Sequence, residues 1–209
     1  MRSGVGTREV GVLLVGVLVL VSACSASVPS NIESSCAIFD HNRSWYRVAV
    51  KSYERWGIPV HVQLAIIHQE SRFKARAKPP RKTLLWFIPG PRPSTAYGFT
   101  QAIDTTWEEY IRDTGNRGAD RDDFADATDF IGWYGARSAK ANGIAPGDAY
   151  SLYLAYHEGD DGYRRKTYLV KPWLLMVAHK VEDRSQRYRR QLQGCEDRFQ
   201  PRWWTLWTF

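Results

Sequence analysis

Almost no stretch of the chain alternates apolar and polar residues with period two, and no segment repeats another. That argues against a sandwich, a barrel or a solenoid. Cysteine is scarce: three in 209 residues, none at the spacing of a metal site or a redox pair. His61 and His68 stand two helical turns apart, but no third ligand sits at a diagnostic spacing, so no metal and no cofactor is expected. The apolar run at residues 10–21 is ~12 residues, too short to cross a bilayer comfortably.

What that run does suit is export. Arg2 and Arg8 precede it and small residues follow, which is the layout of a signal peptide over residues 1–23. Val21, Ser22, Ala23 and Cys24 resemble the bacterial lipobox, which implies cleavage before Cys24 and lipidation of that cysteine. The membrane partner is then the lipid anchor. Ser25, where no aspartate stands, implies an outer-membrane address facing the periplasm. A secreted protein with a chance cysteine is the alternative.

Removing residues 1–23 leaves 27 basic and 21 acidic residues, a net charge near +6. Such a chain is drawn to anionic polymers or headgroups, and nucleic acid is not an expected partner outside the cytoplasm. Nine Trp and eleven Tyr can stack on sugar rings as well as fill a core. Cys36 and Cys195 remain in an oxidising compartment, and a disulfide joining them is expected. It would constrain the unfolded chain by up to ~5 kcal/mol on the entropic account.

Residues 24–35 read as a polar tether, residues 36–195 as one domain, and residues 196–209 as an aromatic tail. The tail suits a membrane interface if exposed, or covers the domain if folded back. Within the domain, Trp45, Val48, Ala49, Ser52, Tyr53 and Trp56 give one apolar helix face, closed by Gly57. Residues 62–67 are apolar apart from Gln63, so the next helix has little solvent face and belongs in the middle of the domain. It ends in Glu70. Desolvation there would raise the glutamate's pKa and let it act as an acid, unless Arg72, Arg76 or another cation pairs with it. His68 and Gln69 stand beside it in the sequence.

Five prolines and six cations mark residues 74–96, which cannot be regular helix. This basic insertion is either a rim that meets a membrane or an acidic polymer, or a loop packed on the domain. Thr105 and Glu108 form a capping-box pattern for a helix near Thr106, with Asp104 the other candidate cap. Phe124, Ala127, Phe130, Ile131 and Tyr134 share a further helix face. Asp148 can cap a helix running through Leu152, Ala155 and Tyr156 to Gly159, and Pro172 opens the last long helix. The class is all-α, with room for a few short strands in residues 78–98.

Three pieces stand in a significant order: HQES at 68–71, YGFTQ at 97–101 and AYHEG at 155–159. They resemble the signature segments of the soluble lytic transglycosylase (SLT) family, which read as ES after an apolar helix, GLMQ, and AYNAG. The resemblance implies a lysozyme-like α domain acting on the glycan strands of peptidoglycan. It implies Glu70 as the only catalytic carboxylate, with Ser71, Gly98, Phe99, Gln101, Tyr156 and His157 along the substrate groove. Protonation of the bond between N-acetylmuramic acid and N-acetylglucosamine, then closure of the muramyl C6 hydroxyl on C1, would leave 1,6-anhydromuramyl ends.

Thr100, His157 and Glu158 depart from the family pattern. Glu158 either adds negative charge beside Glu70 or points away; it and Asp104 are the candidates for a second carboxylate. A goose-type lysozyme-like hydrolase and a non-catalytic peptidoglycan-binding lipoprotein remain as alternatives.

Overall fold

A computed structural model describes residues 27–81, 83–84 and 88–200. The expected signal peptide, Cys24 and residues 201–209 of the aromatic tail lie outside the described residues. Seven α-helices follow one another: α1 Ser35–His41, α2 Arg43–Trp56, α3 Val60–Ser71, α4 Asp104–Thr114, α5 Phe124–Asn142, α6 Ala149–Arg164 and α7 Pro172–Gln193. Within the insertion, Thr83–Leu84 pairs antiparallel with Ile88–Pro89, and this is the small allowance for strands that the sequence left. Among the described residues no helix is long and apolar enough to cross a membrane.

The apolar helix lies where its composition puts it. Val62, Leu64, Ala65, Ile66 and Ile67 are buried, and α3 touches α2, α5, α6 and α7. Gln63, buried within it, donates its amide to the Ile58 carbonyl at 2.7 Å, as a buried donor must. Close approach of α2 to α5 depends on Gly132, where a Cβ would fall 2.5 Å from Ser52 Oγ and 2.6 Å from the Trp56 ring. Trp45 stacks on Phe124 with centroids 4.0 Å apart, and Phe99 meets both rings edge-on.

The disulfide between Cys36 and Cys195 is formed, tying α1 to the end of α7. It does not act alone. Residues 27–34, expected as a tether, lie on the body: the Tyr188 hydroxyl donates to the Ile32 carbonyl, and Glu33 meets His68 and Arg187. Polar composition suggested a free segment, but buried polar groups of α3 and α7 needed these partners.

Two helix boundaries differ from expectation. The fourth helix begins at Asp104 with no side-chain cap, because Thr95 Oγ1 accepts the Asp104 N–H at 3.0 Å and the Asp104 carboxylate pairs with Arg121 at 2.8 Å. The sixth does not stop at Gly159. That glycine breaks it (φ 72°, ψ 163°) and the chain then resumes helix to Arg164.

Candidate active site

Glu70 occupies the last turn of α3, and the helix ends directly after it because Arg72 (φ 53°) and Phe73 (φ 59°) enter the left-handed region. The carboxyl opens into a cleft of about 340 Å³, within the ordinary size range of ligand clefts. Its walls come from four other segments. It is lined by Gln101, Ala102 and Ile103 of a loop, Thr106 of α4, Phe130 and Tyr134 of α5, and Tyr156, His157, Glu158 and Gly159 of α6. Segments that are far apart in sequence thus meet around Glu70.

Burial lifts the Glu70 pKa from the ordinary 4.5 to about 7, and Tyr153 pulls part of that rise back. No cation pairs with it among the described residues. Arg76, an expected candidate, is bound to Asp122 at 3.1 Å instead. Near neutral pH the group is therefore divided between acid and carboxylate, which is the condition for serving in turn as proton donor and acceptor.

Tyr156 lines the cleft, but its hydroxyl donates to the Thr100 carbonyl at 2.7 Å rather than to Glu70. Burial, and then the nearby Glu70 carboxylate, hold its pKa well above the usual tyrosine value, so it stays a neutral donor. That bond ties α6 to the loop at residues 97–102. Gln101 adopts φ 52° and its amide donates to the Gly98 carbonyl at 2.9 Å and the Ala77 carbonyl at 3.0 Å. It is both wall and brace.

The other expected groove residues stand behind the wall. Ser71 is buried and its hydroxyl donates to the Ile67 carbonyl at 3.1 Å, so it completes the helix rather than meeting a substrate. Phe99 is 1% exposed and packs in the aromatic core. Gly98 (φ 77°) permits contact of two loops: a Cβ there would lie 2.0 Å from the Arg121 carbonyl oxygen, where Phe99 N–H is bound at 3.0 Å. Gly98 and Phe99 shape the loop from inside, and Ser71 the helix end. A short motif specifies residue types without saying which way each side chain points.

His157 does reach the cleft, with Nδ1 3.0 Å from Glu158 Oε1 and its ring edge-on to Trp173. Glu158 points into protein rather than at Glu70. Its side chain is 3% exposed; Oε1 accepts from Lys171 Nζ at 2.6 Å and Oε2 from the Thr167 hydroxyl. Burial alone would raise its pKa, but the bonds from Lys171, Thr167 and His157 outweigh that and bring it down to about 2. Its lone pairs are engaged and its charge is matched. Asp104, bound to Arg121, is not among the cleft residues.

His68, the residue two before Glu70, faces the other way. Its Nε2 meets Glu33 at 3.1 Å, and burial, with Arg184, lowers its pKa to about 4. His61 bonds Ser185 Oγ at 2.8 Å and is likewise lowered to about 4 by burial and Arg189. Neither is among the residues that line the cleft. Among the described residues no group of three or more His, Cys, Asp or Glu is placed to hold a metal ion.

Tyr153 is the functional residue that motif reading missed. It lies one turn before Tyr156 on the same face of α6, and that spacing was the available signal. Lys171 was missed for a different reason, since nothing local links it to Glu158.

No curated protein matches this chain, and no solved structure does. A family model does: the Transglycosylase SLT domain, over residues 12–195. The matched span holds Glu70, the loop with Gln101, and Tyr156 together, and it covers most of the sequence; the chain belongs to the Transglycosylase SLT domain family of soluble lytic transglycosylases.

Proposed function

We propose that the protein is a lytic transglycosylase that cleaves the glycosidic bond between N-acetylmuramic acid and N-acetylglucosamine in peptidoglycan, with Glu70 as the single acid and base. The observation that carries this reading is the state of Glu70: a carboxyl held near neutrality by burial, facing an open cleft and paired with no cation among the described residues. Protonated Glu70 gives its proton to the glycosidic oxygen as the C1–O bond breaks. Its carboxylate then takes the proton of the muramyl C6 hydroxyl, and that oxygen bonds to C1. Proton and bond changes balance without water, and a 1,6-anhydro ring closes the new end.

A goose-type hydrolase would hold a water against the sugar with a second carboxylate. Glu158 is the other carboxylate of the cleft, and its engagement by Lys171, Thr167 and His157 leaves it poorly placed for that task. That no second free carboxylate lines the cleft among the described residues supports the lyase. Digestion of purified sacculi followed by mass spectrometry of the new ends tests the proposal. Anhydro ends from wild type and none from Glu70→Gln are expected; free reducing ends would replace the lyase by a hydrolase, and bound but uncut sacculi would leave a binding lipoprotein.

The site also has to reach its polymer. The order Val21, Ser22, Ala23, Cys24 supports lipidation at Cys24 and an anchor in the outer membrane facing the periplasm. Metabolic fatty-acid labelling that follows wild type and not Cys24→Ala is the expected result; equal labelling, or none of either, would remove the anchor.

A further inference from the structure

From residue 71 to residue 103 the chain carries seven Lys and Arg and no Asp or Glu, so the segment between Glu70 and Asp104 has charge of one sign only. The structure gathers part of it into a pocket of about 320 Å³ whose walls include Lys78, Arg92, Thr95, Tyr97 and Arg121. Lys78 Nζ lies 5.1 Å above the Tyr97 ring and the Arg121 guanidinium 5.5 Å from it, so one aromatic face positions two cations. Arg92 is oriented by the Pro79 carbonyl. Arg121 is matched by Asp104, but among the described residues no carboxylate pairs with Lys78 or Arg92.

This pocket and the catalytic cleft are built on one loop. Arg121 donates to the Thr95 carbonyl at 3.2 Å and the Ala102 carbonyl at 2.9 Å, and Tyr97 N–H to the Ala102 carbonyl at 3.3 Å. Gln101, a wall of the cleft, is bonded to the carbonyl of Ala77, next to Lys78. The loop at residues 97–102 is therefore a partition that gives Gln101 and Ala102 to the cleft and Tyr97 to the pocket, where Lys78 and Arg92 have no carboxylate partner among the described residues. A polymer lying in the cleft would carry its substituents over this edge.

We propose that the Lys78–Arg92 pocket is a subsite for the carboxylates of the peptide stems on the glycan strand, so that the protein prefers stem-bearing strands over bare ones. The assignment rests on the proposed action on peptidoglycan and adds a specificity to it. Lysine and arginine donors to a carboxylate form charge-assisted bonds, and their removal lowers affinity rather than the rate of bond breaking.

The test compares wild type with Lys78→Gln/Arg92→Gln on intact sacculi and on strands freed of stems by an amidase. Both substitutions fall on exposed side chains, and matching melting curves confirm the fold. The expected result is a KM on stem-bearing material raised by about tenfold with kcat little changed, and no difference on bare strands. Equal kinetics of the two proteins on both substrates would overturn the subsite. Binding is read separately from cleavage: Glu70→Gln protein should sediment with stem-bearing sacculi and be released when the two cations are also replaced. If nothing cleaves either substrate but this retention pattern holds, the activity fails and the subsite stands. Cation-dependent sedimentation with phosphatidylglycerol vesicles, and not with sacculi, would assign the pocket to lipid headgroups and overturn the proposal.

Discussion

Tyr153 acts on the Glu70 carboxyl in favour of the carboxylate, opposing the burial that lifts the carboxyl to about 7. Tyr153 is itself driven upward by burial and by Glu70, so it holds its proton and remains a donor throughout the working pH range. The pair sets how far the acid's pKa rises. Because the first step needs protonated Glu70, cleavage should fall as pH rises through about 7. Tyr153→Phe removes the group that favours the carboxylate, so the descending limb should move to higher pH. The pH profile of kcat/KM for soluble glycan strands checks this, and a limb that stays in place would assign the hydroxyl no part in tuning the acid.

Glu70 also costs stability. Its pKa is 4.5 as an ordinary glutamate and about 7 in the fold, so the folded protein holds the proton more tightly. The associated stabilisation is fully present below pH 4.5 and is lost as pH rises through 7. A shift of this size corresponds to roughly 3 kcal/mol. Glu70→Gln should therefore be more stable than wild type by about that amount at high pH, with the gap closing in acid. Urea unfolding at both ends of the range measures it, and a gap independent of pH would show that the carboxyl is not desolvated.

Lys171 neutralises the buried Glu158 at 2.6 Å from across the cleft edge. Glu158 is lowered from 4.5 to about 2, so its contribution to stability is present above pH 4.5 and disappears as pH falls towards 2. Lys171→Met leaves that charge without a cation. We expect a loss of about 2 kcal/mol near neutral pH, shrinking in acid, by denaturant unfolding. A loss unchanged at low pH would mean that Lys171 acts by packing alone.

Gly98 has no room for a side chain, with the Arg121 carbonyl 2.0 Å from where a Cβ would stand and φ at 77°. Gly98→Ala should cost at least about 3 kcal/mol and lower cleavage, because the partition that carries Gln101 must shift. Thermal melting and activity are measured together. A stable but inactive variant would localise the effect to the loop.

The apolar helix with its terminal glutamate was legible because a helix with no solvent face has one place to go, the centre, and residues 62–67 leave it no other. The pairing of Cys36 with Cys195 was legible from their number and the expectation of export. Direction was not legible. Ser71 and Phe99 fall at family positions but turn inward, since helix phase and aromatic packing against Trp45 and Phe124 decide where a side chain goes. Neither was the docking of residues 27–34, which depends on Glu33 meeting His68 and Arg187 from far along the chain. Glu158 was ambiguous for the same reason: its partner Lys171 lies beyond the break at Gly159 and the turn at Thr167–Val170.

Cleavage of sacculi in water enriched with heavy oxygen tests the central claim most directly. If Glu70 alone carries a proton out and back while the C6 oxygen closes on C1, the released fragments carry no heavy oxygen at the new end and each has the mass of an anhydro sugar. One heavy oxygen per broken bond, lost in Glu70→Gln, would show that water attacks C1 and would contradict the lyase.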